Sequence, residues 1–276
     1  MAAESFMEAR VSKVPQRQFG KLDLHGSVIG LGTVKWGRNQ KVKYAPFELP
    51  ADEALMQLLD AAEALGINVI DTAPAYGISE ERVGKLLQGR RERYLLMSKV
   101  GEEFTNGESH YEFTVESVER SITRSLKRLH TDRLDLVMLH CQPDDMSAIT
   151  GSPALETLAK LKTKGLLRYY GVSSMTLEGG LKALELSDAV MVAWNFEYRA
   201  QEEVIRQAGK QGKAALLKRA LLSGNLHQAS TGKNLVETCV HEALNLPEVS
   251  SLIAGTINVA HLRENAEAAI SWPGKV

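Results

Sequence analysis

The chain has 276 residues, 44% hydrophobic and 24% charged, which is enough for one sizeable α/β domain. Its 33 basic and 34 acidic side chains leave a net charge of -1, so neither nucleic acid nor an anionic membrane is an expected partner. No apolar run of about 18 residues is present to span a membrane.

The opening segment, MAAESFMEARVSKVPQRQ, lacks the apolar stretch of a secretory signal. Residues 1–16 read as a flexible lead-in and 17–276 as one domain. Cys141 and Cys239 form no motif and fit free thiols in a reducing cytoplasm. RQFGKLDLHGSV reads as a hairpin with turns at Gly20 and at His25-Gly26. A strand follows over Val28 to Val34, then a polar loop and a helix over Ala51 to Leu65 with Leu55, Leu58, Leu59 and Ala62 at helical spacing. The next strand is Asn68 to Asp71, followed by a helix that Ser79 is expected to cap. Further strands are expected at Tyr94 to Val100, Leu134 to His140, 167–174, 189–195, 214–219 and 251–256. Helices are expected at Thr114 to Leu129, 153–164, 176–186, 200–210, about 233–244 and 258–270.

That makes eight strand–helix pairs in an unbroken series. The strands are near-continuous apolar runs, as parallel strands covered on both faces must be. The expected fold is therefore α/β, a (β/α)8 TIM barrel with an N-terminal β-hairpin. A doubly wound sheet fits less well, because GLGTVKWG does not match the glycine pattern of a dinucleotide loop.

Chemistry in such a barrel sits at the C-terminal strand ends. Asp71 ends one strand, in NVIDTAPAYG, with Tyr76 in its loop. Lys99 lies near the end of the next, and His140 ends the one after. Taken singly, each has a plainer reading: a turn aspartate, a packed tyrosine, an ion-paired or Schiff-base lysine, a core histidine. On successive strand ends they form a proton-transfer device. An ammonium beside a phenol favours the phenolate and lowers its pKa. Asp71 supplies the counterion of Lys99, and His140 donates a hydrogen bond to a substrate oxygen. Reduction of a carbonyl needs such an acid, and the hydride must come from a cofactor.

From about Arg17 onward the chain resembles the aldo-keto reductase family. The resemblance rests on GLGT (Gly30 to Thr33), NVIDTAPAYG, SKV around Lys99, DLVMLH, GVSS (Gly171 to Ser174) and GTINVAHLRENAEA. It implies a (β/α)8 barrel that reduces aldehydes or ketones with NADPH, NADH being possible. It implies a catalytic set of Asp71, Tyr76, Lys99 and His140, with Tyr76 as general acid. It further implies a cofactor site of Gly32, Thr33, Asp71, Ser173, Ser174, Lys218, Gly255, Thr256, His261, Glu264 and Asn265. Trp36, Tyr76 and His140 are then expected to face substrate.

The sequence departs from the family's pattern at several places. Ser174 stands where an Asn is usual, Met191 where a carboxamide-binding Gln is usual, and Lys218 where an aromatic usually stacks on nicotinamide. Gly255 and His261 occupy the places of the basic pair that some members use on the 2′-phosphate, with Arg263 nearby. These departures leave a second reading open: a non-catalytic nicotinamide-nucleotide-binding barrel, acting as a redox sensor or partner subunit. A third is a lyase using Lys99 as a Schiff base. The family often works as a monomer, so a monomer or weak oligomer is expected. The segment GNLHQASTGK is short, and no long loop follows the last helix, so an open substrate pocket is expected. Steady-state kcat/KM should then be comparable for bulky and small aldehydes, and a strong preference for one small aldehyde would refute this.

Overall fold

The structure, a computed structural model, describes residues 12–222 and 234–274. Strand and helix alternate as the apolar periodicity requires. A hairpin, β1 (Gln16–Gln18) and β2 (His25–Ser27), precedes β3 (Ile29–Gly32), α1 (Val34–Gly37), α2 (Asp52–Ala64) and β4 (Val69–Asp71). A 3-10 turn, Pro74–Tyr76, leads into α3 (Ser79–Leu86) and β5 (Leu95–Val100). A second hairpin follows, β6 (Glu102–Thr105) and β7 (Glu108–Tyr111), then α4 (Val115–Arg128), β8 (Leu134–His140), α5 (Asp145–Thr150) and α6 (Ala154–Thr163). The chain continues through β9 (Leu167–Ser173), α7 (Leu177–Leu186), β10 (Ala189–Ala193) and α8 (Glu202–Gln211). It ends with β11 (Ala214–Lys218), α9 (Leu235–Leu244), β12 (Val249–Ala254) and α10 (Val259–Ile270).

The strands β3, β4, β5, β8, β9, β10, β11 and β12 pair in parallel in that order and close into a barrel. This is the (β/α)8 TIM barrel, with an antiparallel β1–β2 hairpin across one end. Among the described residues, no helix is long and apolar enough to cross a membrane.

Successive strand residues point to opposite faces. The outward set, including Ile70, Leu96, Val137, Val172 and Val190, packs against helix residues such as Leu55, Leu59, Val118, Ile122 and Leu158. The inward set forms a separate core of Val69, Met97, Leu136, Met138, Met191 and Leu216. Phe19 and Leu24 of the first hairpin join that inner core and close its floor.

Several local expectations change. The strand expected to reach Val34 ends at Gly32, because Thr33 and Val34 turn into α1. Ser79 does not cap α3; Ile78 holds that place, and the buried Ser79 Oγ lies 2.7 Å from Thr33 Oγ1. The β6–β7 hairpin was not expected. Its turn is Asn106-Gly107, both at positive φ, 54° and 78°, the geometry for which this dipeptide is a strong signal. Most of the expected lead-in, residues 1–11, lies outside the described residues, as does GNLHQASTGK, 224–233. Within 12–16, Val14 is buried and its N–H donates to Leu65 O at 2.9 Å.

Gly171 shows how tightly the inner layer is filled. A Cβ there would lie 2.3 Å from Ala189 O and 2.7 Å from Met138 Sδ. Gly171→Ala is therefore expected to destabilise the fold by about 1–3 kcal/mol through overpacking. Chemical denaturation measures this, and an unchanged midpoint would refute the tight fit.

Candidate active site

The inward register continues past the apolar core to the C-terminal strand ends. Two residues beyond Val69 comes Asp71; beyond Met97, Lys99; beyond Met138, His140; beyond Gly171, Ser173; beyond Leu216, Lys218. These five residues and Tyr76 all line one cavity of about 890 Å³.

Lys99 is 1% exposed, and an ammonium this deep requires compensation. Its Nζ donates to Asp71 Oδ1 at 2.5 Å and to Thr72 O at 3.0 Å. Burial opposes its charge, but Asp71 and Tyr76 outweigh that, so its pKa lies above the ordinary lysine value. The same ammonium lies 4.7 Å from the centroid of the Tyr76 ring. The 3-10 turn with Pro74 in its first turn delivers Tyr76, and Arg38 Nη1 pins that turn at Ala75 O, 3.0 Å. Gly77 follows at φ 63°, where a Cβ would meet Gly37 O at 2.2 Å, so the loop sits flush on α1.

Burial pushes the Tyr76 phenol up to about 12, against the pull of Lys99. The expected net lowering is corrected: desolvation of the phenolate exceeds the attraction of a lysine already paired with Asp71. Tyr76 therefore stays protonated at neutral pH.

The His140 ring lies 6.3 Å from that of Tyr76, at right angles. Its Nδ1 faces Glu102 Oε2 at 2.9 Å, within ion-pair range but without hydrogen-bond alignment. Glu102 was not anticipated. It opens the β6–β7 hairpin, accepts from Ser109 Oγ at 2.6 Å and lies 3.6 Å from Arg38. Burial disfavours its charge, yet His140, Ser109 and Arg38 together hold its carboxyl below the usual range. Burial lowers the pKa of His140, with Glu102 opposing, so the imidazole is neutral near pH 7.

Lys218 Nζ donates to Ser173 Oγ at 2.9 Å and Ser174 O at 2.8 Å. Ser173 and Met191 line the cavity. Ser174 does not; it is fully buried behind the wall, where Gln201 Nε2 donates to its Oγ at 3.1 Å. Thr33 is also behind the surface, its Oγ1 donating to Asp71 O at 3.0 Å. Trp36 is corrected in the same way. It is 0% exposed, turned into the core by α1, with Nε1 3.4 Å from Thr256 O. Lys35 and Tyr44 line the cavity instead, with Lys35 Nζ 4.2 Å from the Tyr44 ring centre.

The cavity runs on to the start of α10. Gly32, Gly255, Thr256, His261, Glu264 and Asn265 line it. Gly255 has no side chain to obstruct that floor: a Cβ would point toward Tyr44 Oη at 3.6 Å and Gly32 O at 3.7 Å. Asn258 caps the helix, its Oδ1 accepting from Ala260 N at 2.7 Å. Arg219 adds a further cation to the lining. A volume near the upper end of ligand pockets, small floor residues and several cations suit an elongated anionic cofactor.

The Aldo/keto reductase family profile matches residues 28–242. The chain belongs to that family. As an aldo-keto reductase it is an oxidoreductase of a family that generally uses NAD(P)H. A solved Pseudomonas aeruginosa protein assigned to the aldo-keto reductases is 42% identical, with a TM-score of 0.85, covering 94% of this chain and 97% of that one. The holo form of an aldo-keto reductase from Bacillus halodurans is 25% identical, with a TM-score of 0.80, covering 95% and 93%. The uncharacterized oxidoreductase YqkF of Bacillus subtilis is 27% identical over 92% of this chain and 90% of its own.

In this aldo-keto reductase the Glu102 carboxylate favours a proton on His140. Glu102→Gln should therefore lower the His140 pKa further, read by NMR titration of the imidazole. An unchanged value would mean that the facing carboxylate does not act on the ring.

Proposed function

We propose that the enzyme is an NADPH-dependent reductase of aldehydes or ketones, with Tyr76 as the general acid. The observation that carries this reading is the convergence of a protonated, buried phenol with an ion-paired ammonium on one face of the cavity. A bound nicotinamide cofactor would supply the hydride that the carbonyl carbon needs. Tyr76 gives its proton to the carbonyl oxygen. Lys99 stabilises the phenolate that remains, and Asp71 keeps Lys99 charged and aimed. The cations Lys35 and Arg219 favour a polyanionic cofactor along the cavity, and the preference for NADPH follows the family resemblance.

His140 has a more particular part. With Glu102 facing Nδ1, a neutral ring keeps its proton there and offers Nε2 as an acceptor. In that tautomer the ring receives a hydrogen bond from an alcohol hydroxyl, and it donates to a carbonyl from Nε2 only once it takes up a second proton. This supports a second reading, in which the same site also oxidises alcohols as pH rises above the His140 pKa.

Tyr76→Phe is expected to cut kcat by about 10²–10⁴-fold while leaving cofactor binding intact. NADPH oxidation with an aromatic aldehyde panel, followed by absorbance, reads this, with NADH run in parallel. Saturable NADPH binding without turnover in the wild type would favour the non-catalytic binding reading instead.

A further inference from the structure

Two of the three lysines that line the cavity, Lys99 and Lys218, are held very differently. Lys99 has Asp71. Lys218 has only neutral acceptors: Ser173 Oγ at 2.9 Å, Ser174 O at 2.8 Å and Met175 Sδ at 3.7 Å. Among the described residues no carboxylate makes an ion pair with it. The ionisable groups that face it are Arg219 beside it in the chain, Lys99 on β5, His140 and Cys141 at the end of β8, and Asp145 on α5. Arg219 and Lys99 are cations. The Cys141 thiol is pushed up to about 12 by burial and stays neutral. Asp145 is engaged elsewhere, accepting from Met175 N at 2.7 Å, Thr176 N at 2.9 Å and Thr176 Oγ1 at 2.8 Å. Asp145 still favours charge on Lys218, but Arg219 and Lys99 outweigh it, so the local field there is positive.

Position gives this charge a use. Ser173, which Lys218 holds, is the register partner of both His140 and Met191. The ammonium thus lies on the cavity wall next to the proposed proton-transfer groups, where the reacting end of a nicotinamide cofactor has to reach. A reduced nicotinamide ring is neutral and an oxidised ring carries a positive charge. An ammonium in low-dielectric surroundings repels the second and not the first.

We propose that Lys218 sets the redox preference of the cofactor site, weakening the binding of NADP+ relative to NADPH and so promoting release of the oxidised product. This rests on the cofactor reading above. Burial, then Arg219, lowers the Lys218 pKa to about 7, with Lys99 also opposing the charge. Binding a cationic ring lowers it further, so NADP+ binding releases a proton. NADP+ affinity then rises as pH increases toward neutrality and levels off once Lys218 is already neutral. NADPH lacks the ring charge. Phosphate titrations common to the two nucleotides largely cancel in the ratio of their Kd values.

The test is that ratio, Kd(NADP+)/Kd(NADPH), measured by titration calorimetry between about pH 5.5 and about pH 9 for the wild type and Lys218→Met. The wild-type ratio should fall with rising pH, approaching about tenfold per unit on the acid side, and flatten above neutrality. In Lys218→Met it should be low and flat, with NADPH still bound. A flat wild-type ratio with tight NADPH binding would overturn the proposal while leaving the cofactor reading intact, and it needs no variant. A wild-type slope that persists in Lys218→Met would overturn it too. Binding of neither nucleotide at any pH would overturn the cofactor reading and the proposal with it.

Discussion

Every strand of the barrel turns alternate side chains inward, and the chemistry follows from that period of two. The inner face cannot stay apolar to the end of a strand and also hold a reactive site. In this chain the change occurs at a common level: Val69, Met97, Met138 and Leu216 fill the core, and Asp71, Lys99, His140 and Lys218 stand two residues beyond them. Parallel pairing brings these ends to one cavity.

Burial at that level makes electrostatics expensive and therefore directive. Lys99 keeps its proton because Asp71 and Tyr76 offset its burial, with Asp71 Oδ1 at 2.5 Å and Thr72 O at 3.0 Å from Nζ. Tyr76, whose neighbouring cation Lys99 is already paired with Asp71, keeps its proton because a buried phenolate is costly. His140 loses charge for the same reason, while Glu102 works against the loss. Lys218 is the extreme case, an ammonium supported by neutral oxygens alone. One cavity thus contains a proton donor, a paired cation and a cation whose charge depends on pH.

The legible parts of the sequence were those carried by local pattern. Apolar runs ending in Asp71 and His140, and one with Lys99 near its end, announced both strands and strand-end chemistry, because the inward face is set by counting in twos. Side chains just past a strand end were harder to place. Thr33, Trp36 and Ser174 follow or belong to motifs that touch the cavity, yet all three turn behind its surface. Chain proximity does not fix direction once the backbone leaves the strand. Glu102 had a signal in the Asn106-Gly107 turn of its hairpin, but not one for its partner: the turn shapes the hairpin, whereas the contact with His140 depends on β8, in another part of the chain.

The order of amino acids alone was sufficient for the barrel, the inner and outer faces and the identities of the strand-end groups, since these depend on periodicity and on neighbours along the chain. The protonation balance was settled by packing across the barrel. Whether Lys99 lowers the Tyr76 pKa is a competition between attraction and desolvation, and desolvation is a property of the enclosed cavity. Likewise, Lys218 reaches Ser173 because β11, β10 and β9 lie side by side, a relation that closure of the sheet creates.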